Sequence, residues 1–185
     1  MNRFLSLVLI LSLAGVVLWL ASRPDAAPQR MPEITRFASQ AVDTIEITDR
    51  SQMKLQHTDS GWQLLMGSGV WRAADEEAVS HLLDDLAAMQ SIRVVTRNPD
   101  QYEKLKVGSA ATKVILKDRQ GKGIFEVLVG KQGSDLLSTY LRLAGKPEVL
   151  AVDRSLLWQV KRPLEGWQAR EAVPVEAAEP DKSHE

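Results

Sequence analysis

The chain begins with an uncharged apolar run, and this run limits what the chain can fold into more than any other feature. From Phe4 to Ala21 no side chain is charged, and only Ser6, Ser12 and Gly15 interrupt the apolar residues. As a helix, the run would be about 27 Å long, close to the ~30 Å hydrocarbon core of a bilayer. A buried helix of a globular domain normally keeps a polar stripe, and this run has none. The pattern therefore predicts a transmembrane helix over residues 4–21.

The run fits an uncleaved signal anchor better than a cleaved signal peptide. Cleavage favours small residues one and three positions before the cut. A cut after Ala21 would put Trp19 at one of these positions, and Ala27 is followed by Pro28. The run also exceeds the roughly 7–15 residues of a usual signal-peptide core. We expect residues 1–3 to stay in the cytoplasm, which would make this a single-pass protein of the bacterial inner membrane with a periplasmic domain.

The rest of the chain divides into a spacer, one folded domain and a tail. Residues 22–40 carry three prolines, which exclude a continuous helix and favour a semi-extended linker. Residues 41–171 are numerous enough to bury about two-thirds of their unfolded surface, so we expect one core that needs no cofactor or metal. The charged residues of 172–185 are mostly acidic and the segment has no periodicity, which predicts a disordered acidic tail.

The hydrophobic pattern of the central part predicts short strands around one amphipathic helix. Asp75 is the expected N-cap of this helix, and apolar residues follow at helical spacing from Val79 to Leu86. The later strands are too close together for helical crossovers, so the sheet should be antiparallel. The expected fold is α+β, an antiparallel sheet packed on one main helix, with a last short helix capped by Asp153. The predicted strands are Thr44–Thr48, Met53–Gln56, Trp62–Met66, Ile92–Thr96, Thr112–Lys117, Ile124–Val129, Thr139–Leu143 and Val149–Val152.

The composition excludes several classes of function. The net charge is -1, whereas a nucleic-acid-binding domain needs a basic face. The chain has no cysteine, so it has no disulfide, no thiolate metal site and no cysteine nucleophile.

Three weak motifs are better explained as surface features than as sites. Glu77, His81 and Asp85 recur every four residues and could hold a metal, but a solvated helix face gives the same spacing. No nucleophile elbow accompanies the few candidate hydrolytic groups His57, Asp59 and Ser68. A lysine between glycines at residues 130–134 lacks the remainder of a phosphate-binding loop. We therefore expect no catalytic, metal or cofactor site.

The tryptophans are the most informative residues for binding. Trp62 lies in an alternating strand and is expected in the core, whereas Trp71 follows a glycine-rich loop. Aromatic side chains on loops bury much area at little entropic cost and are common contact anchors. The sequence therefore marks Gly67, Gly69, Trp71 and Arg72 as a candidate partner contact.

Seven short motifs follow one another between residue 42 and residue 158. They are I-x-I at 45–47, G-W-x-L at 61–64, A-D at 74–75, V-x-x-L-L-x-x-L at 79–86, aliphatic-Val-Gly at 128–130, Y-L-R at 140–142 and V-L-A-V at 149–152. In this order they resemble the domain-of-unknown-function family numbered 4340. The chain departs from that family's Y-G-L-x-x-P pattern, because Tyr102 is followed by Glu103, Lys104 and Leu105. The resemblance implies a membrane-anchored accessory protein, often associated with ABC-type transport systems of the gliding-motility kind, and supplies no catalytic residues.

Three functions remain open on the sequence. The first is a non-enzymatic, membrane-anchored accessory subunit that binds an integral-membrane partner such as a transporter permease. The second is a periplasmic module that binds a small molecule or a glycan in a groove beside Trp71. The third is an envelope hydrolase.

Overall fold

The computed structural model describes residues 31–65 and 69–170. The predicted anchor at 4–21, the start of the predicted spacer, the predicted tail at 172–185 and Gly67 lie outside these ranges. Within them, no helix has the length and apolar character needed to cross a membrane.

The described residues form one large antiparallel sheet with three short helices. The strand order is β4-β3-β2-β1-β6-β7-β8-β9-β5, and every neighbouring pair is antiparallel. The strands are β1 Thr44–Thr48, β2 Gln52–Thr58, β3 Gly61–Leu65, β4 Trp71–Ala73, β5 Ser91–Thr96, β6 Thr112–Lys117, β7 Gly123–Gln132, β8 Thr139–Leu143 and β9 Val149–Val152. The helices are α1 Glu76–Ala88, α2 Tyr102–Leu105 and α3 Leu157–Val160.

Two meanders meet at the centre of the sheet. The first runs from β1 outward to β4, and the second runs from β6 outward to β9, with β1 paired to β6. Helix α1 carries the chain from edge strand β4 to β5 at the opposite edge. The antiparallel pairing confirms the expectation from the short connections.

One face of the sheet, which we call the front face, carries the main core. Alternation along each strand sends every second residue to this face. Ile45, Leu55, Leu64 and Leu116 are fully buried in the same cluster as Leu82 of α1. The apolar residues of the alternating strands thus form the core that their spacing predicts.

Helix α1 begins as the sequence predicts. The Asp75 carboxylate accepts a hydrogen bond from the Ala78 backbone N–H at 3.0 Å, which satisfies one of the unpaired donors at the start of the helix. The helix lies against β3 and the single helical turns at Ser39–Ala41 and Leu164–Trp167. The architecture is therefore a large antiparallel sheet with few helices, and the cover of the front face is shared among several segments.

The opposite face, the back face, carries a second and smaller cluster. Val107, Tyr140, Val149 and Ala151 are buried there, beneath the segment from Tyr102 to Val107. The Tyr102 hydroxyl donates to the Pro147 carbonyl at 2.7 Å, which ties this segment to the turn between β8 and β9. The rest of the back face, over β1 and β6, carries ion pairs such as Lys117 with Glu46 at 2.6 Å.

Two expectations differ from the structure, and one helix forms where the sequence predicts none. The predicted spacer already contributes to the core from Ile34, which is buried, and from Phe37, whose ring lies 5.1 Å from that of Phe125. Asp153 does not cap the last helix, because its carboxylate accepts from the Gln90 N–H at 2.7 Å and α3 starts four residues later. The segment 102–105, which has no strong periodicity, forms helix α2.

Glu103 gives the fold a dependence on acid pH. Its carboxylate accepts from the Ser109 N–H at 2.7 Å, and this bond, followed by one from the Ser109 hydroxyl, lowers the pKa of Glu103 below its ordinary value of 4.5. The ionised group therefore stabilises the fold above pH 4.5, and this contribution is lost as the pH falls through the folded-state pKa.

Glu103→Gln is expected to make the decline of stability below pH 4.5 shallower than in the parent. Glutamine keeps the shape and an acceptor oxygen but has no charge to titrate. Urea-unfolding midpoints at a series of pH values measure the slope. If the urea midpoint of the variant fell as steeply with decreasing pH as that of the parent, the effect assigned to Glu103 would be contradicted.

Candidate interaction surface at the edge strand β4

Trp71 lies on an edge strand, not in the loop that the sequence predicts. Strand β4 pairs with β3, so that Trp71 faces Leu65 and Arg72 faces Leu64. Three residues suffice for this strand, which is too short to show alternation in the sequence. Trp71 remains 40% exposed at this edge, so its ring is available for contact.

Trp71 and Arg72 flank the edge from opposite faces of the sheet. Leu64 is buried in the main core, so its partner Arg72 lies on the front face. Trp71 lies on the back face with Leu65 and Lys54, whose ammonium nitrogen is 5.8 Å from the centre of the indole ring. The predicted contact is therefore divided between the two faces of one edge, with Gly67 outside the described residues.

The end of the described chain covers half of this edge. Gln168 bridges Ala74 in antiparallel orientation, and the Ala169 N–H donates to the Ala73 carbonyl at 3.0 Å. The Asp75 N–H donates to the Trp167 carbonyl at 2.8 Å. Within the described ranges, no residue is paired with Trp71 on the outer edge of β4.

The guanidinium groups of Arg72 and Arg170 border an open cleft beside β4. The cleft has a volume of about 590 Å³ and is lined by Arg72, Ala73, Gln168, Ala169 and Arg170. Continuing the register of the Ala74–Gln168 bridge by two residues places Arg72 opposite Arg170. Among residues 31–65 and 69–170, no carboxylate forms an ion pair with either arginine.

This arrangement suits an acidic side chain of another protein. The segment that ends at Arg170 already lies along Ala73 and Ala74, so the contact would be made by side chains and not by an added strand. Like charges opposite each other across strands are unfavourable, so an anion between Arg72 and Arg170 would stabilise both. Trp71 would supply an aromatic contact on the other face.

The other residues considered from the sequence are dispersed. His81 lies 3.9 Å from Glu77, but Asp85 pairs with Arg154 at 3.3 Å and accepts a hydrogen bond from the Gln159 amide. In the part of the chain that the structure describes, no group of three or more His, Asp or Glu side chains could hold a metal ion.

His57 and Asp59 lie in the β2–β3 hairpin. The ring of His57 contacts Trp62 edge-on at 5.3 Å, and Asp59 lies in the turn between the two strands. Ser68 is outside the described residues. The structure therefore places His57 and Asp59 in one hairpin.

Trp62 is buried as predicted, and Trp167 is fully buried. The Arg162 guanidinium lies over the rings of both Trp167 and Trp158, at 5.2 and 5.4 Å. Sequence reasoning did not identify Lys54 and Arg170 as neighbours of the β4 edge. Only the strand register brings them there, and no local pattern marks it.

Most motifs of the resemblance lie on the strands and on helix α1, but I-x-I at 45–47 precedes the residues that the family model matches. A family model for a domain of unknown function (DUF4340) matches residues 62–179, well over half of the chain. No curated protein and no solved structure matches the chain. The chain therefore belongs to the family of the domain of unknown function DUF4340.

Proposed function

We propose that this protein is a non-enzymatic, membrane-anchored accessory subunit of an envelope complex associated with an ABC-type transporter. The observation that carries the proposal is the uncharged run at residues 4–21, long enough to cross a bilayer ahead of a folded domain. The resemblance to family members associated with gliding-motility-type transport systems supports the choice of partner. The protein would then have one transmembrane helix in the inner membrane, followed by a periplasmic sheet domain. The front face of this domain would pack chiefly on α1.

The anchor would make a modest interface sufficient. A tether confines the domain near its partner and raises the effective concentration to about the millimolar range. The β4 edge, with Trp71 and Arg72 on its two faces, is the contact that we assign to this partner. A carboxylate side chain of a transporter permease would fit between the guanidinium groups of Arg72 and Arg170.

Purification in mild detergent tests the assignment directly. The full chain should co-purify with a permease that mass spectrometry identifies as part of an ABC-type transporter. Replacing residues 4–21 with an unrelated transmembrane helix should reduce this association. Isolation of the chain without any integral-membrane protein would count against the proposal.

Trp71→Ser is expected to reduce recovery of the permease by about tenfold or more, because truncation of a central aromatic anchor typically costs 2 kcal/mol or more of binding free energy. Because Trp71 is only 40% exposed in the isolated domain, the free energy of unfolding should also fall, by about 1–3 kcal/mol. Quantitative mass spectrometry and urea unfolding measure the two effects.

Trp158→Ser is the matched control. Trp158 is 56% exposed and lies on α3, away from the β4 edge. Its replacement should leave permease recovery unchanged. Equal losses from both variants would show that exposed tryptophans in general, and not this edge, hold the partner.

The charged cleft favours a second candidate, a periplasmic module for a small molecule or a glycan. A carboxylated ligand could bind Arg72 and Arg170 beside the Gln168 amide. Such a module would show a saturable rise in Tm with a uronic-acid glycan, and Arg72→Gln would abolish it.

A further inference from the structure

The tip of the β7–β8 hairpin exposes two consecutive leucines. Leu136 is 69% exposed and Leu137 is 75% exposed, the largest fractions among the large apolar side chains of residues 31–65 and 69–170. Single exposed leucines are common on protein surfaces. Two in succession at a hairpin tip leave a projecting apolar surface that the described domain does not cover.

The loop that carries these leucines is held by its own hydrogen bonds. The Asp135 carboxylate accepts from the backbone N–H of Leu137 at 3.1 Å and from the N–H and hydroxyl of Ser138, both at 2.8 Å. The Gly133 N–H donates to the Ser138 carbonyl at 2.8 Å, and the Gln132 side-chain amide donates to the Leu136 carbonyl. The Ser138 N–H, followed by its hydroxyl, lowers the pKa of Asp135, so the carboxylate is charged at neutral pH.

The backbone conformation of Leu136 is one that leucine adopts less readily, and the hydrogen bonds of the loop hold it. Its φ is +60°, in the left-handed region that glycine and asparagine adopt more readily than leucine. Leu136 thus combines an unfavourable conformation with a solvent-exposed apolar side chain. Both costs would be offset if the leucines were buried against another molecule, and the fixed loop would lose little entropy on binding.

We propose that Leu136 and Leu137 form a rigid apolar anchor that inserts into an apolar pocket with a neutral or basic rim on a protein partner. This surface is separate from the β4 edge. The charge of Asp135 identifies the kind of partner, because an anionic bilayer attracts Lys and Arg beside an inserted apolar group and repels a carboxylate.

The leucines also lie far from residue 32, where the predicted spacer enters the described part of the domain. Residues 32–35 lie near the β8–β9 turn and the start of β7, whereas the leucines lie beyond the end of β7. Strand β7 has ten residues, which corresponds to about 33 Å. A domain tethered through residue 32 would hold the leucines at the end remote from its tether. This step rests on the proposed anchoring, whereas the exposure, the loop bonds and the Asp135 charge do not.

Photochemical cross-linking in intact cells tests the anchor. A benzophenone amino acid replaces exposed Ser134 in the full chain, next to the leucines. Irradiation should give an adduct with one other protein, and mass spectrometry should map the cross-link to apolar residues of that protein. The double variant Leu136→Asn with Leu137→Ser should reduce the adduct at least tenfold. Asparagine suits the positive φ, so the Tm of this variant should not fall.

Two controls match the design. Val70→Ser removes another apolar side chain, which is 50% exposed, and should leave the adduct unchanged. The same photoreactive residue at Lys122, in the turn at the opposite end of the sheet, should not give this adduct. A lipid adduct, an adduct with a second copy of this chain, no adduct, or one that persists without the leucines would overturn the proposal.

Failure of the leucine anchor and failure of the proposed function give different results. A chain that is released from the membrane yet forms the leucine-dependent adduct would refute the anchored subunit and leave the leucine anchor intact. A chain that stays in the membrane with its permease but forms no adduct would do the reverse.

Discussion

Gly130→Ala is expected to lower the free energy of unfolding by about 2–3 kcal/mol, the cost of overpacking a site that has no room for a methyl group. A Cβ at this position would lie 2.5 Å from the Leu105 carbonyl oxygen, 2.5 Å from a Val107 methyl carbon and 3.0 Å from the Tyr140 carbonyl oxygen. Two of these neighbours are backbone atoms, so relief requires the segment above the strand to move. For a domain of this size, Tm should fall by roughly 5–10 °C.

Gly123 provides a control within the same strand. It begins β7, and a Cβ there would meet no atom within 4 Å. Gly123→Ala should change the free energy of unfolding by no more than about 1 kcal/mol, with stabilisation expected from the lower entropy of the unfolded chain. Urea unfolding of both variants gives the comparison. Equal effects would show that glycine in β7 matters for strand formation in general and not for close approach at Gly130.

The close approach at Gly130 explains two of the family motifs together. The aliphatic-Val-Gly step places glycine where the segment 102–107 crosses the back face. Tyr102 fixes one end of this segment through Pro147 and lies under the Arg142 guanidinium at 4.5 Å. Arg142 in turn donates to the Val107 carbonyl at 3.2 Å. The Y-L-R strand and the glycine therefore hold the same segment.

Much of the sheet could be predicted from short runs of β-branched and aliphatic residues. Strand β6 alternates in burial, whereas β8 and β9 are buried on both faces. The strands with the predicted bounds are Thr44–Thr48, Thr112–Lys117, Thr139–Leu143 and Val149–Val152. Helix α1 was equally accessible, since Asp75 and the apolar spacing both mark it. Local sequence patterns therefore predict the bounds of an element when its own residues determine where it begins and ends.

The candidate surfaces depend on contacts that are remote in sequence. Strand β4 is three residues long and forms by pairing with the edge of β3. The sequence alone therefore places Trp71 in a loop. Arg170 reaches Arg72 only through the bridge between Ala74 and Gln168. The exposure of Leu136 follows from the turn that Asp135 organises. Predicting such positions requires the register of the paired strands, and no single segment of the sequence determines that register.

Two aspartates in the apolar run are expected to remove the protein from the membrane fraction. Leu11→Asp with Leu13→Asp places charges near the middle of residues 4–21, where each costs about 2.5–3.5 kcal/mol on insertion. The membrane-bound fraction should fall at least tenfold after alkaline extraction. Ala26→Asp with Ala27→Asp adds the same charge beyond the run and should leave the fraction unchanged, because acidic residues contribute little to orientation.

The intact mass of the membrane-bound chain separates an anchor from a signal peptide. An uncleaved anchor requires a mass that includes residues 4–21, and only then does the tether raise the concentration of the domain near its partner. A mature chain that begins after Ala21 and stays soluble would remove this advantage. The β4 edge would then need an affinity of its own, which a strand of three residues with one exposed indole does not readily supply.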